Sequence, residues 1–463
     1  MTQRFVVDPS WRRVPNNIVI AGSPLKIFRV TDAALPIIEA LENGTPLPEH
    51  HARLTERLLN SGAIHPIPSA QIDPKDITVV IPVYATTAID IARLQHLVDQ
   101  FTVDQTHVLN VIVVDDASPL EVSVVGATLI RHPDNQGPGA ARNTGANACT
   151  TQYLAFVDVD CLANLQDLLA TAAHFENQQV GIVAPRVRST TSDSAISHYE
   201  STFSPLDMGE KAANVVPMAR VSYIPSAVML VRRKTFDELG GFNSSLRYGE
   251  DVDFVWRAID ASWQCRYDPS VICEHYSRTT WQQLWNQRSS YGEAAAQLYT
   301  LHPTRLAPLQ ADLATTISTA TVVMGFPLTA FSSSIISAFT LGRDLKQAGV
   351  VTNEIIRIVS DRWIHTTYML GVAISRVWLP IVLCAAIFSK RARRLLVFAF
   401  MFPPLWDQSK KGKSPRSKQL PLTIAANVID HSAYSFGVWK GMIRARTLGP
   451  LLPKISVKRS REG

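Results

Sequence analysis

The 463-residue chain contains 46% hydrophobic and 18% charged residues and carries a formal net charge of +6. This length predicts two to four structural units, and the composition permits a large buried core. The positive charge is concentrated near the end, where the residues from Lys390 onward include 16 Lys and Arg but only 3 Asp and Glu. Because the rest of the chain is net negative, we expect no nucleic-acid surface along its length and a local anionic partner such as a lipid leaflet.

The cysteines and the N-terminus indicate the compartment in which the chain folds. No two of the five cysteines form a C-x-x-C pair and their number is odd, which is typical of reduced thiols in a cytosolic setting. The first residues contain no apolar run of signal-peptide length. The sequence therefore predicts neither a disulfide framework nor export of the N-terminal part.

Residues 1–68 are predicted to form a small winged-helix-like module. Ile18–Ile20 and Leu25–Val30 have strand character and are separated by a turn containing Gly22, so we expect a β-hairpin. Short helices should follow, the first of them ending at Asn43. The module could be a structural cap on the next domain, or it could bind a peptide by strand addition at the hairpin edge. Its few basic residues disfavour DNA binding.

A central domain, predicted over residues 75–305, shows an alternation of strands and helices. Ile77–Tyr84 and Val111–Val114 are apolar runs typical of buried parallel strands, and the second run ends in Asp115 and Asp116. Further strands and helices follow in the same alternating pattern. The fold class is therefore α/β with a mainly parallel sheet, and ligands should gather at the carboxyl ends of its strands.

A glycine-rich turn, Asn135–Asn143, opens a helix after the third strand of this domain. It matches neither the dinucleotide fingerprint G-x-G-x-x-G nor the P-loop pattern, so a site of either class is not supported. Gly137 and Gly139 could simply permit a tight turn. Alternatively, the start of the helix could present Arg142 to a phosphate or a base.

The fourth strand of the domain, within Tyr153–Cys161, ends abruptly in two carboxylates. Side chains alternate along an extended segment, so Asp158 and Asp160 should point to the same side, where two hard oxygen ligands could share a divalent cation. Such a cation would in turn hold a diphosphate. The alternative is that the pair only caps the helix that follows.

Two later features carry possible acid-base or metal chemistry. Glu250 and Asp251 open a helix, where they could either complement the helix dipole or supply a general base that deprotonates an attacking hydroxyl. His275 follows a short strand-like run. It could be an ordinary buried polar group, or it could complete a metal site with Asp160.

Residues 306–463 are predicted to form a hydrophobic helical region with a basic tail. Leu313–Leu341 is uncharged and long enough to span a bilayer, and Trp363–Ser389 is a second candidate, interrupted by Arg376. The cluster Lys390–Arg394 follows directly, which satisfies the positive-inside rule if the N-terminal part is cytoplasmic. The alternative is a pair of buried helices in a helical domain.

Five motifs of the central domain together resemble the family 2 glycosyltransferases of the GT-A fold, in the order and spacing of that family. They are I-P-V-Y at Ile81–Tyr84, V-V-D-D-A-S at Val113–Ser118, N-x-G-x-x-x-A-R-N at Asn135–Asn143, D-x-D at Asp158–Asp160 and G-E-D at Gly249–Asp251. The processive polysaccharide-synthase signature Q-x-x-R-W is absent, because Trp281–Arg288 spells W-Q-Q-L-W-N-Q-R. Synthesis of long chains is therefore not expected.

This resemblance implies a set of roles for the motif residues. A nucleotide-sugar donor would be bound by Pro82, Tyr84, Asp115, Asp116, Asn135, Gly137, Arg142 and Asp158. A divalent metal, Mg²⁺ or Mn²⁺, would hold the diphosphate through Asp158 and Asp160. The residue pattern, and not the resemblance, adds His275 as the third candidate ligand. The catalytic candidates are Asp251, as the base of an inverting transfer, and its neighbour Glu250.

Over nearly its full length the chain also resembles a narrower group, the glycosyltransferases of mycofactocin biosynthesis, whose N-terminal module is similar to PqqD-like peptide-recognition domains. G-S-P-L-K at Gly22–Lys26 and Y-G-E-A-A at Tyr291–Ala295 carry this resemblance. It implies transfer of glucose, with UDP-glucose as the expected donor, to a peptide-derived redox cofactor at the cytoplasmic face of the cell membrane. The alternatives are a lipid-linked or cell-wall acceptor, and a peptide-binding scaffold with an inactive GT-A domain.

Overall fold

The computed structural model describes residues 4–48, 51–101, 109–192, 194–410 and 420–456. The chain divides into two compact units, one formed by the residues up to Arg13 with Asn17–Ser277, the other by Val14–Asn16 with the chain from Arg278 onward. This division groups residues 278–305 with the C-terminal helices, whereas the sequence pattern places them in the central domain. The predicted domain boundaries themselves stay predictions.

The N-terminal part of the first unit contains five short strands and two α-helices. They are β1 (Arg4–Val7), β2 (Arg12–Val14), β3 (Ile18–Ala21), β4 (Lys26–Arg29), α1 (Leu35–Asn43), α2 (Ala52–Asn60) and β5 (Ile64–Ile67). The expected hairpin is confirmed, because β3 and β4 pair antiparallel. Gly44 ends α1 in the left-handed region, with φ of 64°, where a residue without a Cβ is unstrained.

Three of those strands were not predicted. β1 pairs antiparallel with β5, and β2 lies beside β3 in the three-stranded sheet β2-β3-β4. Pro66 lies inside β5, opposite Phe5. A proline is tolerated there because, among the strands that the structure describes, β5 pairs only with β1, so the missing N–H of Pro66 need not belong to a ladder.

The central domain is built on one nine-stranded sheet. Its elements are β6 (Ile77–Val83), α3 (Ala88–Asp99), β7 (Asn110–Asp115), β8 (Thr128–Arg131), α4 (Pro138–Asn147), β9 (Tyr153–Val157), β10 (Cys161–Leu162), α5 (Leu165–Ala172), β11 (Val180–Ser189), α6 (Ala195–Phe203), β12 (Ala213–Asn214), β13 (Val228–Arg232), α7 (Arg233–Leu239), α8 (Glu250–Asp260) and β14 (Gln264–His275). The strand order is β10-β14-β11-β13-β9-β6-β7-β8, with β12 beside β14. The neighbouring strands β9, β6, β7 and β8 are parallel, and β13 runs antiparallel to β9. The predicted α/β fold with a mainly parallel sheet is confirmed.

The packing of α4 against the sheet brings the glycine-rich turn to the strand ends. α4 crosses β6 so closely that a Cβ at Gly145 would collide with Cγ1 of Val80. Val80 and Val114, on the neighbouring strands β6 and β7, are fully buried beneath the helix. The start of α4 therefore lies beside the carboxyl ends of β6, β7 and β9, where the predicted ligand residues are found.

The second unit is mainly helical. It contains α9 (Trp281–Leu301), β15 (Gln310–Asp312), α10 (Leu313–Met324), α11 (Pro327–Gln347), α12 (Thr352–Arg376), α13 (Leu379–Phe388), α14 (Lys390–Lys410), α15 (Leu420–Ala445) and β16 (Lys454–Ser456). α9 and α15 pack backbone to backbone, since a Cβ at Gly437 would collide with the carbonyl of Ser289. β15 and β16 form a short parallel pair.

The uncharged stretch Leu313–Leu341 is not one helix, contrary to its interpretation as a continuous span. Gly325 adopts the left-handed conformation, with φ of 82°, and Pro327 then begins α11. Among the described residues no single helix is both long and apolar enough to cross a bilayer. The pair α12 and α13 meets that length and composition together, with a bend of 85° between the two helices.

Candidate active site

Arg142 links two of the predicted site residues. Its Nη2 donates to Oδ1 of Asp158 at 2.6 Å, and its Nη1 donates to Oε1 of Glu250 at 2.7 Å. The guanidinium is buried and lies over the ring of Phe242 at 5.6 Å. Burial would lower the pKa of Arg142, but the two carboxylates raise it above its ordinary value. A permanently charged arginine therefore joins α4, the end of β9 and the start of α8.

The two carboxylates at the start of α8 occupy different surroundings. Glu250 is buried and pairs with Arg142, whereas Asp251 is half-buried and accepts a hydrogen bond from the backbone N–H of Ser226 at 3.2 Å. Burial raises the pKa of Glu250 to about 7. Burial likewise raises the pKa of Asp251, while the charge of Arg142 opposes this rise. Of the two, only Asp251 has the partial exposure that a proton acceptor needs.

Asp158 and Asp160 follow β9 and have different partners. Asp158 binds Arg142, and Oδ2 of Asp160 lies 2.9 Å from Nε2 of His275. This second contact arises because β10 pairs with β14 and places Cys161 opposite His275. About a third of each aspartate side chain is exposed. The structure thus brings together the two aspartates and the histidine that the sequence suggested.

The side chains of Asp158, Asp160 and His275 are of types that bind divalent cations. Burial raises the pKa of Asp158, and the neighbouring charge of Asp160 raises it further, so a cation between the two carboxylates would relieve a repulsion. Nδ1 of His275 is buried and has no hydrogen-bond partner. Among the described residues, however, no group of three His, Cys, Asp or Glu side chains is already arranged to hold a metal ion. Binding would require Asp160 and His275 to exchange their mutual contact for the metal.

Asp115 ends β7 with both carboxylate oxygens engaged. Oδ1 accepts the backbone N–H of Ser118 at 2.8 Å, and Oδ2 forms an ion pair with Arg131. The hydroxyl of Ser118 accepts the N–H of Ala85 at 2.7 Å, which joins the loop after β7 to the loop after β6. Because Asp115 is fully buried, its direct effect is to shape the two loops.

Asp116 anchors the glycine-rich turn. Its carboxylate accepts the backbone N–H groups of Gln136 at 2.8 Å and of Gly137 at 2.7 Å. Nδ1 of His132 lies 2.8 Å from the same carboxylate, and Nε2 of that ring lies 2.8 Å from the hydroxyl of Thr144. The backbone of Gly137 has φ of 94°, which favours glycine at this position. Asp116 therefore fixes the turn from which α4 begins.

The remaining predicted donor-binding residues lie around this turn. The side chain of Asn135 donates to the carbonyl of Asp116 at 3.1 Å and accepts a hydrogen bond from Arg247. Tyr84 and Pro82 lie at the end of β6, and about half of the Tyr84 side chain is exposed. Val83, between them, accepts the N–H of Asp116 at 2.9 Å. The exposed ring of Tyr84, beside this turn, offers a flat face on which a base could stack.

The sequence of the chain matches known proteins over most of its length. A family model described as glycosyl transferase family 2 matches residues 78–240. The pre-mycofactocin glycosyltransferase of Mycobacterium tuberculosis (strain CDC 1551 / Oshkosh) is 32% identical over 453 residues, which cover 94% of each chain. This chain belongs to the family 2 glycosyltransferases. The resemblance predicted from its motifs is therefore confirmed.

Two more distant matches are a curated relative and a solved structure. Glycosyltransferase AglE of Haloferax volcanii is 26% identical over 236 residues, which cover 49% of this chain and 74% of that protein. Among solved structures, the mannosyltransferase PcManGT from Pyrobaculum calidifontis in complex with GDP-Man and Mn²⁺ is 15% identical and aligns with a TM-score of 0.37. That alignment covers 77% of this chain and 94% of the mannosyltransferase.

Several residues of the glycosyltransferase site were not predicted from the sequence. Arg131 and His132 lie at the end of β8 and bind Asp115 and Asp116, respectively. The Arg-His pair directly after a strand was an available signal, since the carboxyl ends of neighbouring parallel strands meet. Ser226 gave no such signal, because its contribution to Asp251 is a backbone N–H that any residue except proline would provide.

Proposed function

We propose that this glycosyltransferase transfers glucose from UDP-glucose to a peptide-derived redox cofactor in mycofactocin biosynthesis, with inversion at the anomeric carbon. The observation that carries the proposal is the match to the pre-mycofactocin glycosyltransferase over 94% of each chain, too much of the chain to leave out the N-terminal module of residues 1–68. A relative that shared only the sugar-transfer chemistry would match the central domain alone.

In the proposed reaction Asp251 takes the proton of an acceptor hydroxyl. The oxygen then attacks the anomeric carbon from the face opposite the nucleoside diphosphate, so one C–O bond forms as the bond to the diphosphate breaks. The N–H of Ser226 orients the Asp251 carboxylate, and burial raises its pKa toward that of a useful base. Glu250 does not compete for this role because Arg142 holds it in the interior.

The remaining site residues bind and orient the donor. Arg142 holds Asp158 at the end of β9, next to Asp160 and His275. A Mg²⁺ or Mn²⁺ ion held by Asp158, Asp160 and His275 would supply charge stabilisation for the departing diphosphate. Tyr84 offers an exposed ring for the base beside the turn fixed by Asp116.

The N-terminal module is proposed to recognise the peptide-derived acceptor. Within the described part of the chain, β4 pairs only with β3 in the sheet β2-β3-β4, so its other edge offers backbone groups for strand addition. The module also contacts the catalytic domain directly. The backbone carbonyl of Asn60 accepts a hydrogen bond from Asn214 at 3.1 Å, and Nε2 of Gln264 donates to Oδ1 of Asn60 at 3.2 Å.

The decisive experiment is mass spectrometry of extracts from cells that contain the wild-type protein, no protein, or the variant Asp251→Asn. We expect soluble species heavier by hexose units only with the wild type. The matched control is Asp237→Asn, which removes a carboxylate that is half exposed and pairs with Arg233 on α7. This control should keep the wild-type pattern.

The same extracts separate the proposal from its rivals. If the soluble species are unchanged and a glycolipid or wall sugar disappears, the acceptor is lipid-linked and the peptide-cofactor assignment is wrong. If Asp251→Asn behaves like the wild type in every fraction, Asp251 is not the base and the catalytic assignment fails. In vitro, release of UDP from UDP-glucose tests the donor, with GDP-mannose as the comparison substrate.

A further inference from the structure

We propose that the second unit docks on an anionic lipid surface through exposed apolar side chains of α11 and α13, rimmed by cations at the start of α14. We call this the docking surface and define it by Leu328, Phe331, Ile335, Phe339, Ile387, Phe388, Lys390, Arg391, Arg393 and Arg394. The proposal does not depend on the reaction proposed above, because it concerns only where the second unit binds.

The first part of the docking surface is one face of α11. Leu328, Phe331, Ile335 and Phe339 recur at intervals of three or four residues, so they lie in one stripe along about 17 Å of the helix. All four are exposed, Leu328 to 84% and Phe331 to 69%. A helix in a folded unit normally turns its apolar stripe inward, so this stripe faces outward for a reason other than folding.

The opposite face of α11 already has its partners. Hydroxyl pairs join it to α10, with 2.6 Å between the side chains of Thr315 and Ser337 and 2.7 Å between those of Ser318 and Ser334. Ser337 and Ala330 are buried on this side. The orientation of the helix is therefore fixed by small polar contacts, and these contacts leave the large apolar side chains exposed.

The second part is the end of α13, which leads directly into basic residues. Ile387 and Phe388 are exposed, Phe388 to 90%, and Lys390 begins α14 two residues later. This end lies close to the start of α11, because the guanidinium of Arg391 stacks on the ring of Phe326 at 4.2 Å. The apolar ends of two helices and a cluster of cations thus meet in one area.

The charges on the stretch that carries α13 and the start of α14 are all positive. Residues 362–406 contain no Asp or Glu and six Lys or Arg. Four of these cations, Lys390, Arg391, Arg393 and Arg394, are exposed at the start of α14. Farther along the stripe, four residues after Phe339, Arg343 is also exposed and lies 3.9 Å from the carboxylate of Asp344. Long basic side chains can lie along an apolar surface and still reach lipid phosphates.

This combination favours a lipid surface over a second copy of the chain. An isologous contact through this area would place the cations of the two copies beside each other with no carboxylate from 362–406 to offset them. An anionic leaflet offers apolar acyl chains beneath negatively charged head groups, which matches both parts of the surface. We therefore infer docking in the plane of the interface.

The test is flotation of the purified full-length protein with vesicles. We expect binding to vesicles of phosphatidylcholine with phosphatidylglycerol, much weaker binding to phosphatidylcholine alone, and release from the anionic vesicles at high salt. The wild type is compared with two variants of the docking surface. The stripe variant carries Leu328→Ser, Phe331→Ser and Phe339→Ser, and the charge variant carries Lys390→Gln and Arg394→Gln.

The substituted side chains are exposed, so both variants should fold. We expect the stripe variant to lower the vesicle partition coefficient about a hundredfold. The charge variant should lower it about fivefold per cation removed, and only on anionic vesicles. The control for the stripe variant is Val125→Ser, which removes an exposed apolar side chain of the first unit. The control for the charge variant is Lys75→Gln with Lys211→Gln, which removes two exposed cations of the first unit. Both controls should bind like the wild type.

Cys384 provides an independent probe of the same surface. It lies on α13 and is exposed, whereas the other four cysteines are buried. A polarity-sensitive fluorophore on this thiol should shift to the blue with anionic vesicles and become protected from an aqueous quencher. The proposal is overturned if the wild type does not bind anionic vesicles. It is also overturned if light scattering shows that the wild type is a dimer that the stripe substitutions dissociate. Failure of alkaline carbonate to release the protein from membranes would indicate a spanning segment and would overturn the proposal as well.

Discussion

Arg142 and Glu250 form an ion pair, with 2.7 Å between Nη1 and Oε1, in a place where both side chains are almost fully buried. The second amino group of Arg142 binds Asp158. One guanidinium therefore connects the three segments that carry the D-x-D, A-R-N and G-E-D motifs. These motifs are 16 and 108 residues apart from Arg142 in the chain, and their meeting explains why all three belong to one site.

Replacing Arg142 by lysine should disable the site while preserving its charge. An ammonium cannot donate two divergent hydrogen bonds in the fork geometry of a guanidinium, so either Asp158 or Glu250 loses its partner. We expect sugar transfer to fall at least about a hundredfold, and the free energy of unfolding to fall by about 3–5 kcal/mol because a buried carboxylate is left unpaired. UDP release and thermal unfolding measure the two effects. The control is Arg247→Lys, at an exposed arginine that donates to Asn135; an equal loss there would contradict a special role for Arg142.

Glu250 should make stability depend on pH near neutrality. Its pKa is raised from 4.5 to about 7, first by burial and then by the charge of Asp251. Between these two pKa values the folded protein keeps the Glu250 proton and the unfolded chain has lost it. The contribution of this proton to the free energy of unfolding is therefore complete below pH 4.5 and declines as the pH rises to about 7. The slope is at most about 1.4 kcal/mol per pH unit. Relative to Glu250→Gln, which cannot titrate, the wild type should lose stability across this window in thermal unfolding; a constant difference would contradict the raised pKa.

Much of the central domain could be predicted from the sequence because its strands are local apolar runs. Ile77–Val83 and Tyr153–Val157 are strands where the pattern placed them, and the carboxylates after them lie at the expected edge of the sheet. β1 and β5 escaped prediction for the opposite reason. Each has four residues, and only their pairing across more than fifty residues of chain makes them a sheet. Long-range pairing of this kind leaves little trace in a short window of sequence.

The candidate site could likewise be predicted only in part. The sequence motifs indicated Asp158, Asp160 and Asp251, because carboxylates at strand ends and helix starts stand out from an apolar background. The motifs could not show that Glu250 is occupied by Arg142 or that Asp115 is closed off by Arg131. These outcomes depend on which side chains meet after folding. The fold, and not the motifs, therefore distinguishes the candidate base from the carboxylates that are structural partners.

Removing divalent cations should weaken donor binding if Asp158, Asp160 and His275 form the proposed metal site. In calorimetric titrations with UDP, we expect affinity to fall at least about tenfold with EDTA and to return with Mn²⁺ or Mg²⁺. The variant Asp160→Asn should show the low affinity in either condition. Asp237→Asn should respond to EDTA like the wild type, and UDP binding that ignores both EDTA and Asp160→Asn would contradict a metal at these residues.

Gly145 should be intolerant of even one additional carbon atom. A Cβ there would collide with Cγ1 of Val80 and come within 3.2 Å of Cγ2 of Val114, in the packed layer between α4 and the sheet. We expect Gly145→Ala to cost about 1–3 kcal/mol of stability and to displace Arg142, which lies one turn earlier on α4. The comparison is Gly342→Ala in α11, where a Cβ would make an ordinary contact at 3.5 Å and the helix should gain slightly. Thermal unfolding distinguishes them, and equal midpoints would contradict the close packing.

The N-terminal module is tied to the catalytic domain through Asp8 and Arg220, whose Oδ2 and Nη2 lie 2.7 Å apart. Asp8 is fully buried and also binds Nε2 of His65 at 2.9 Å. Burial would raise the pKa of Asp8, but hydrogen bonds from His65, Arg220 and the neighbouring serine outweigh burial and hold the pKa well below its usual value. The charged carboxylate is thus the form that the junction stabilises.

Because the folded-state pKa of Asp8 is lowered from 3.8, its contribution is fully present above that pH and is lost as the pH falls below it. Arg220→Gln should leave Asp8 with a weaker partner and increase local opening of the module about tenfold, equivalent to about 1.4 kcal/mol, since Arg220 is partly exposed. Hydrogen exchange of the peptides that contain β1 and β5, followed by mass spectrometry near pH 7, measures this opening without unfolding the second unit. Asp8→Asn should show a similar increase, and the double variant should add little to either single change. Additive effects would mean that the two residues act independently and that the ion pair does not hold the module in place.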